Sequence, residues 1–339
     1  MTRAERRARG VFYTPSAIVG YVVDEVLSTR LPGTSFRRDG SPDLRILDPA
    51  VGSGRFLVSC VDWLSEEAVR RGFAREPARR AIVSRCVVGV ERDPYVAARA
   101  RAILGDGADI RVGEALGGGL VENGAWDVVV GNPPYVRSVT LRREDPILWR
   151  ALRGAAASTS YGEWDLYAAF FERSFEWCAA GGEVGLVVPS RWLTARTAAR
   201  LRGRLAAAGA VRRIVDFGAR QVFADATTYT SLVFLTRRAG GAAAVDVARW
   251  VGAPGKGMET PLPPGDGWNV GKVEVAGEGP WTLAVGDAAR ELSRLAAGRP
   301  RLDCLARVAK GAGTNADRVF VMPADDDFGI EAPLLRQCL

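Results

Sequence analysis

The 339-residue sequence contains no histidine. That absence removes Ser-His-Asp and Cys-His arrangements, imidazole acid/base catalysis and the usual nitrogen ligand of a zinc site. The five cysteines, Cys60, Cys86, Cys178, Cys304 and Cys338, form no Cys-x-x-Cys pair, so they read as reduced, buried thiols and no metal site is expected. No uncharged apolar run reaches roughly 18 residues, and Met1 to Gly10 leads into no signal-peptide core; no membrane span is expected, and the reading is a cytoplasmic protein. Lysine is scarce, and there is no convincing internal repeat or low-complexity tract.

What is present is a folding chain with 47% apolar residues, enough for one large or two ordinary domains. Net charge is +7, carried almost entirely by arginine. Arginine forks onto phosphate oxygens, so the balance fits a polyanionic partner, although a moderate excess also occurs in proteins that bind no nucleic acid.

Residues 1 to 9 form a basic tail, and Thr14-Pro15 opens a helix running to about Leu27, with Thr14 expected as its cap. Leu44 to Val58 reads as strand, glycine turn (Gly52, Gly54) and helix. Helical sequence from Val61 to Arg80 precedes a second strand, Cys86 to Glu91, with Asp93 suited to cap the next helix. Ile110 to Val112 is a short third strand and Trp126 to Gly131 a fourth. This alternation predicts a doubly wound, mostly parallel α/β sheet.

The fourth strand stops at Asn132-Pro133-Pro134-Tyr135. Ligands of open α/β sheets sit at the carboxyl ends of strands, so this tetrapeptide suggests a site; a strand followed by a proline-stiffened loop fits those residues equally well. An irregular arginine-rich segment is expected up to about Tyr161, then an aromatic amphipathic helix, Trp164 to Trp177, and a fifth strand ending at Pro189. Val211 to Phe217 and Thr228 to Leu235 read as an antiparallel pair closing one edge of the sheet. Beyond Arg237 the sequence turns to short strands, Pro/Gly loops and a short helix near Ala288 to Leu295.

Taken in order, these motifs resemble the gamma-class DNA adenine-N6 methyltransferases of restriction-modification systems. Gly10-Val11-Phe12-Tyr13-Thr14-Pro15 is similar to their motif X, Asp48-Pro49-Ala50-Val51-Gly52-Ser53-Gly54-Arg55-Phe56 to motif I, Val88 to Pro94 to motif II, and Asn132-Pro133-Pro134-Tyr135 to motif IV. The likeness covers about residues 10 to 236. Val51 stands where the family usually has Cys, a packing change, and Glu114 where an Asp usually meets the cofactor adenine.

The resemblance implies a Rossmann-like, class I S-adenosylmethionine-dependent fold with a seven-stranded sheet and an antiparallel edge strand. It implies four regions: the tail and motif X helix (1–43), the catalytic domain (44–240), a linker or extension (241–300) and the start of a target-recognition domain (301–339). Only the beginning of that last domain is expected here, so the chain is either part of a longer protein or takes its sequence recognition from a separate specificity or restriction subunit. With nine residues ahead of Gly10, no nuclease domain is expected.

Phe12, Tyr13, Thr14, Asp48, Pro49, Ala50, Gly52, Gly54, Glu91, Arg92, Glu114 and Asn132 are the implied S-adenosylmethionine contacts, with Glu91 on the ribose hydroxyls. Asn132 and the Pro133 carbonyl are implied acceptors for the adenine amine, Pro134 stiffens the turn, and Tyr135 and Phe223 are implied stacking faces for a base flipped from double-stranded DNA. Phe223 fits a core position equally well. Arginines in 137–153 and 191–213 are candidate phosphate contacts. The alternatives are methylation of a protein glutamine or RNA, and a non-catalytic DNA-binding subunit with a methyltransferase fold.

Overall fold

Strand after strand of this chain is apolar on both faces, the pattern of a sheet covered by helices on each side. The computed structural model describes residues 14–223, 229–238, 240, 244–252, 262–287, and 291, 294, 295 and 297–300. The chain divides into two compact units, Met1–Arg290 and Glu291–Leu339. The first is described below; Phe12, Tyr13 and the expected start of a recognition domain lie outside the described residues.

Strands β1 (Ile46–Asp48), β2 (Val87–Glu91), β3 (Asp109–Val112), β4 (Trp126–Gly131) and β5 (Cys178–Pro189) run parallel. With β6 (Val211–Asp216), β7 (Thr230–Thr236), β8 (Val245–Trp250) and β9 (Trp268–Val273) they form one sheet in the order β3-β2-β1-β4-β5-β7-β6-β8-β9. The expected doubly wound α/β architecture is therefore present.

The sheet has nine strands rather than the seven expected, and the antiparallel strand β7 lies inside it between β5 and β6. Had β6 ended the sheet, its backbone groups would have been left unpaired. Instead β8 pairs with β6 in parallel, burying Val245, Val247 and Ala248, and β9 adds an antiparallel strand outside it.

Leu47, Val129, Val184 and Leu186 face one buried layer, and Ile46, Val128, Val130 and Val187 the other. The first layer is completed by the aromatic helix α7 (Leu166–Trp177), the second by α1 (Ser16–Arg30), α2 (Arg55–Arg70) and α4 (Pro94–Leu104). A Cβ on Gly185 of β5 would stand 2.8 Å from Val22 Cγ1 and Val26 Cγ1, so the bare backbone there lets α1 lie directly on the sheet.

Some local expectations change. The helical stretch Val61 to Arg80 is two helices, α2 and α3 (Arg75–Arg85), separated at Gly72, whose φ of +90° ends the first. The segment after Tyr135 is not irregular throughout: it holds α5 (Ser138–Glu144) and α6 (Pro146–Leu152), the latter started by Asp145, whose carboxylate accepts the Leu148 N–H at 2.9 Å. Helix α8 (Ala199–Ala207) follows β5 and leads into β6. Among the described residues no helix is long and apolar enough to cross a membrane.

Candidate functional site

Because β1, β2 and β4 are parallel neighbours, their carboxyl ends bring Asp48, Glu91 and Asn132 to the same edge of the sheet. The turn after β1 places Gly52 at φ +54° and Gly54 at φ +82°, conformations that disfavour side chains, and Gly54 opens α2. The Glu91 carboxylate holds this turn: Oε2 accepts the Gly52 N–H and Oε1 the Asp93 N–H, each at 2.9 Å. Capping of α4 falls to Asp93, which accepts the N–H groups of Tyr95 and Val96.

Asp48 is 1% exposed. Its Oδ1 accepts the Ala50 N–H at 3.0 Å, while Oδ2 has no hydrogen-bond partner among the described residues. Burial, reinforced by the Glu91 charge against the opposing pull of the Ala50 N–H, pushes its pKa up to about 7. A buried carboxylate oxygen without a partner beside a positive-φ glycine turn fits a ligand carrying a cationic group and hydroxyls.

Gly131 was not singled out from the sequence. A Cβ there would stand 3.0 Å from Asp48 Oδ1, so the glycine lets the carboxylate lie against the end of β4. Its signal was a glycine interposed between an apolar strand and Asn132.

The Asn132 amide is turned by a residue 118 positions earlier in the chain: Nδ2 donates to Thr14 Oγ1 at 3.1 Å. Oδ1 is buried and has no hydrogen-bond partner among the described residues. Pro133 and Pro134 carry no N–H, so the turn following Asn132 adds carbonyl acceptors and no donors. Thr14 does not cap α1 as expected. Pro15 occupies the cap position with no side-chain hydrogen bond, and the Thr14 hydroxyl faces Asn132 instead.

Tyr135 is half-buried between the two core layers. Its hydroxyl donates to the Val187 carbonyl at 3.2 Å and its ring meets Tyr167 edge-on at 6.1 Å, which fixes the ring plane. Burial holds its phenol well above the ordinary range. Phe223 is 4% exposed and lies in the layer that includes Phe217 and Val222.

The charged candidates Arg92 and Glu114 have partners of their own. The exposed Arg92 side chain pairs with Asp145. Glu114 accepts the Leu116 N–H at 3.1 Å, and burial raises its pKa.

The structure sorts the arginines. Arg202 is buried and donates to the carbonyls of Trp192, Ala195, Glu278 and Gly279. Arg204 pairs with Glu172 and Glu176, and Arg212 with Glu25 and Glu183, so these hold the fold. Residues 136–166 leave the sheet directly after Tyr135 and are closed at the neck by Ser138 N–H to Trp164 carbonyl and Leu166 N–H to Val136 carbonyl bonds. Within this excursion Arg137 pairs with Glu163 and Arg143 with Glu144. Arg142 and Arg153 both lie over Trp149, 5.8 and 4.9 Å from its ring centre, and line a cleft of about 180 Å³ with Ser160 and Tyr161.

Residues 99–223 match the family described as Eco57I restriction-modification methylase. The chain is 27% identical over 350 aligned residues to the type II methyltransferase M.PaeR7I of Pseudomonas aeruginosa, an alignment covering 94% of this chain and 58% of the relative. It is 25% identical to the type II restriction enzyme and methyltransferase RM.Eco57I of Escherichia coli, over 69% of this chain and 28% of that protein. The chain thus spans between a quarter and about three fifths of the length of these two relatives. Among solved structures, one described as a modification subunit of a type I restriction enzyme from Vibrio vulnificus superposes with a TM-score of 0.55 at 18% identity, covering 87% of this chain and 64% of that one. That likeness supports the fold.

Proposed function

We propose that this chain, which carries a restriction-modification methylase domain, is a DNA methyltransferase that moves a methyl group from S-adenosylmethionine to the exocyclic N6 of adenine. The observation that carries the reading is the Asn132 amide at the end of β4: its nitrogen is tied to Thr14, and its oxygen is buried and has no partner among the described residues.

The adenine amine is a poor nucleophile because its lone pair is delocalised into the ring. Asn132 Oδ1 and the Pro133 carbonyl accept its two hydrogens, favour a pyramidal nitrogen and so free the lone pair. Tyr135, braced by Val187 and Tyr167, offers a fixed aromatic face to a base taken out of the duplex, with Phe223 as the second aromatic of the pair. The Glu91 carboxylate takes the ribose hydroxyls, Asp48 faces the methionine ammonium, and Thr14, Gly52 and Gly54 shape the floor between them. S-adenosylmethionine, when bound, supplies a methyl group on a sulfonium centre, an electrophile that needs no metal. The partner is double-stranded DNA in the cytoplasm, with a separate specificity or restriction subunit as the further one.

The test is methyl transfer from labelled S-adenosylmethionine to unmethylated genomic duplex DNA, to RNA and to a glutamine peptide, followed by mass analysis of the digested nucleosides. N6-methyladenine in the DNA is the expected product. Label only in the peptide or the RNA rejects the DNA reading, and no binding of S-adenosylmethionine by calorimetry rejects catalysis.

A further inference from the structure

We propose that Thr14 is a positioning residue for the methyl-transfer step, acting through Asn132 by holding the amide nitrogen so that the oxygen faces the target amine. The inference rests on the amine-methylation reading above. A primary amide has an oxygen and an NH2 group of nearly the same shape, and only the oxygen can accept an amine hydrogen. The Thr14 hydroxyl holds one end of it: it accepts the Nδ2 hydrogen at 3.1 Å, and Oδ1 at the other end is buried and has no partner among the described residues.

Thr14 is well placed to be a fixed reference. It is 5% exposed, and its carbonyl accepts a hydrogen bond from Arg55 Nη1 at 3.0 Å, Arg55 being the first residue of α2 after the glycine turn. The helix that begins next to it, α1, is seated on β5 through Gly185. The hydroxyl is not spent on capping, since Pro15 takes the cap position without a side-chain bond. A chain of contacts therefore runs from the cofactor turn through Arg55 and Thr14 to the amide. Without the hydroxyl the Nδ2 group loses its acceptor, and the amide is no longer held with its oxygen toward the amine.

The experiment compares wild type, Thr14→Val and Thr14→Ser of the full chain on unmethylated genomic duplex. Removing one neutral hydrogen bond from the orienting contact lowers kcat by about tenfold in Thr14→Val. Affinity for S-adenosylmethionine, read by calorimetry, falls by less than kcat does, and Thr14→Ser restores kcat. An unchanged kcat in Thr14→Val overturns the proposal, as does a loss of cofactor affinity that accounts for the whole effect.

A second readout does not need turnover or the valine variant. In amide NMR spectra the Asn132 side-chain pair is the one missing from Asn132→Asp. Protection of that pair from solvent exchange in the wild type is the expected result; rapid exchange overturns the proposal. Absence of DNA methylation by the wild type would reject the function while leaving this measurement to decide the hydrogen bond.

Discussion

Glu91 and Gly52 are joined through the carboxylate Oε2 and a backbone N–H, 2.9 Å apart, so the acidic end of β2 and the glycine turn after β1 form one unit. The same carboxylate takes the Asp93 N–H with its other oxygen. Two acceptors are needed for this, and Glu91→Gln has only one, leaving an NH2 group facing one of the two backbone donors. The variant should therefore lose the charge offered to the ribose hydroxyls and loosen the turn together. Calorimetry should show affinity for S-adenosylmethionine falling by about 10- to 100-fold, the range for bonds to a charged group. Unchanged affinity would remove Glu91 from the cofactor site.

Asp48 gives a pH signature with a definite sign. Its pKa in the fold is about 7, against about 4 for a free aspartate, so the folded chain holds this proton more tightly than the unfolded chain. The stabilisation is complete below about pH 4 and is lost as the pH rises through about 7. Subtracting the stability profile of Asp48→Asn from that of the wild type should isolate a fall across that window. A cationic ligand group reverses the preference, because it favours the carboxylate. S-adenosylmethionine should bind more weakly at pH 6 than at pH 8 and release a proton at pH 6, measured by calorimetry in buffers of different ionisation enthalpy. Asp48→Asn should release none.

Much of this site was legible because strand ends and glycine turns leave local marks. Asp48, Gly52, Gly54 and Glu91 sit at the expected strand-to-helix junctions, and Asp93 caps α4 as its sequence position suggests. Less legible was anything set by contacts distant in sequence. Thr14 reads locally as a helix cap, and only the packing of α1 across β5 shows that its hydroxyl meets Asn132. That β8 and β9 join this sheet was less legible for a related reason: the outer residues Asp246 and Arg249 of β8 dilute its apolar signal, and its stabilisation comes from pairing with β6. Val51 could be read as a packing change, yet its partner could not: its Cγ2 fills the space over Gly89, where a Cβ would come within 2.1 Å.

Asn132→Ala separates chemistry from binding. The amide oxygen is assigned a contact that strengthens as charge develops on the amine, so its loss should lower kcat by about 100- to 1,000-fold, the effect of deleting one preorganised polar contact. Cofactor affinity should change little, because Asp48, Glu91 and the glycine turn remain. Asn132→Asp keeps an acceptor in either orientation and should retain more activity than Asn132→Ala. A kcat equal to wild type in Asn132→Ala would shift the acceptor role to the Pro133 carbonyl alone.

The arginines make the DNA reading testable without turnover. Arg142 and Arg153 flank Trp149 and line the cleft in the excursion that follows Tyr135, and neither makes an ion pair with a described residue. Arg137 and Arg143, on the same excursion, are paired with Glu163 and Glu144. A guanidinium that neutralises a phosphate releases a counterion, so each such contact steepens the dependence of log affinity on log salt by about 0.9. Arg142→Ala and Arg153→Ala should each flatten that slope by about one unit for duplex DNA of any sequence. Arg143→Ala should leave it nearly unchanged, because its charge is already opposed by Glu144. Equal slopes in all three variants would place the duplex on another face of the protein.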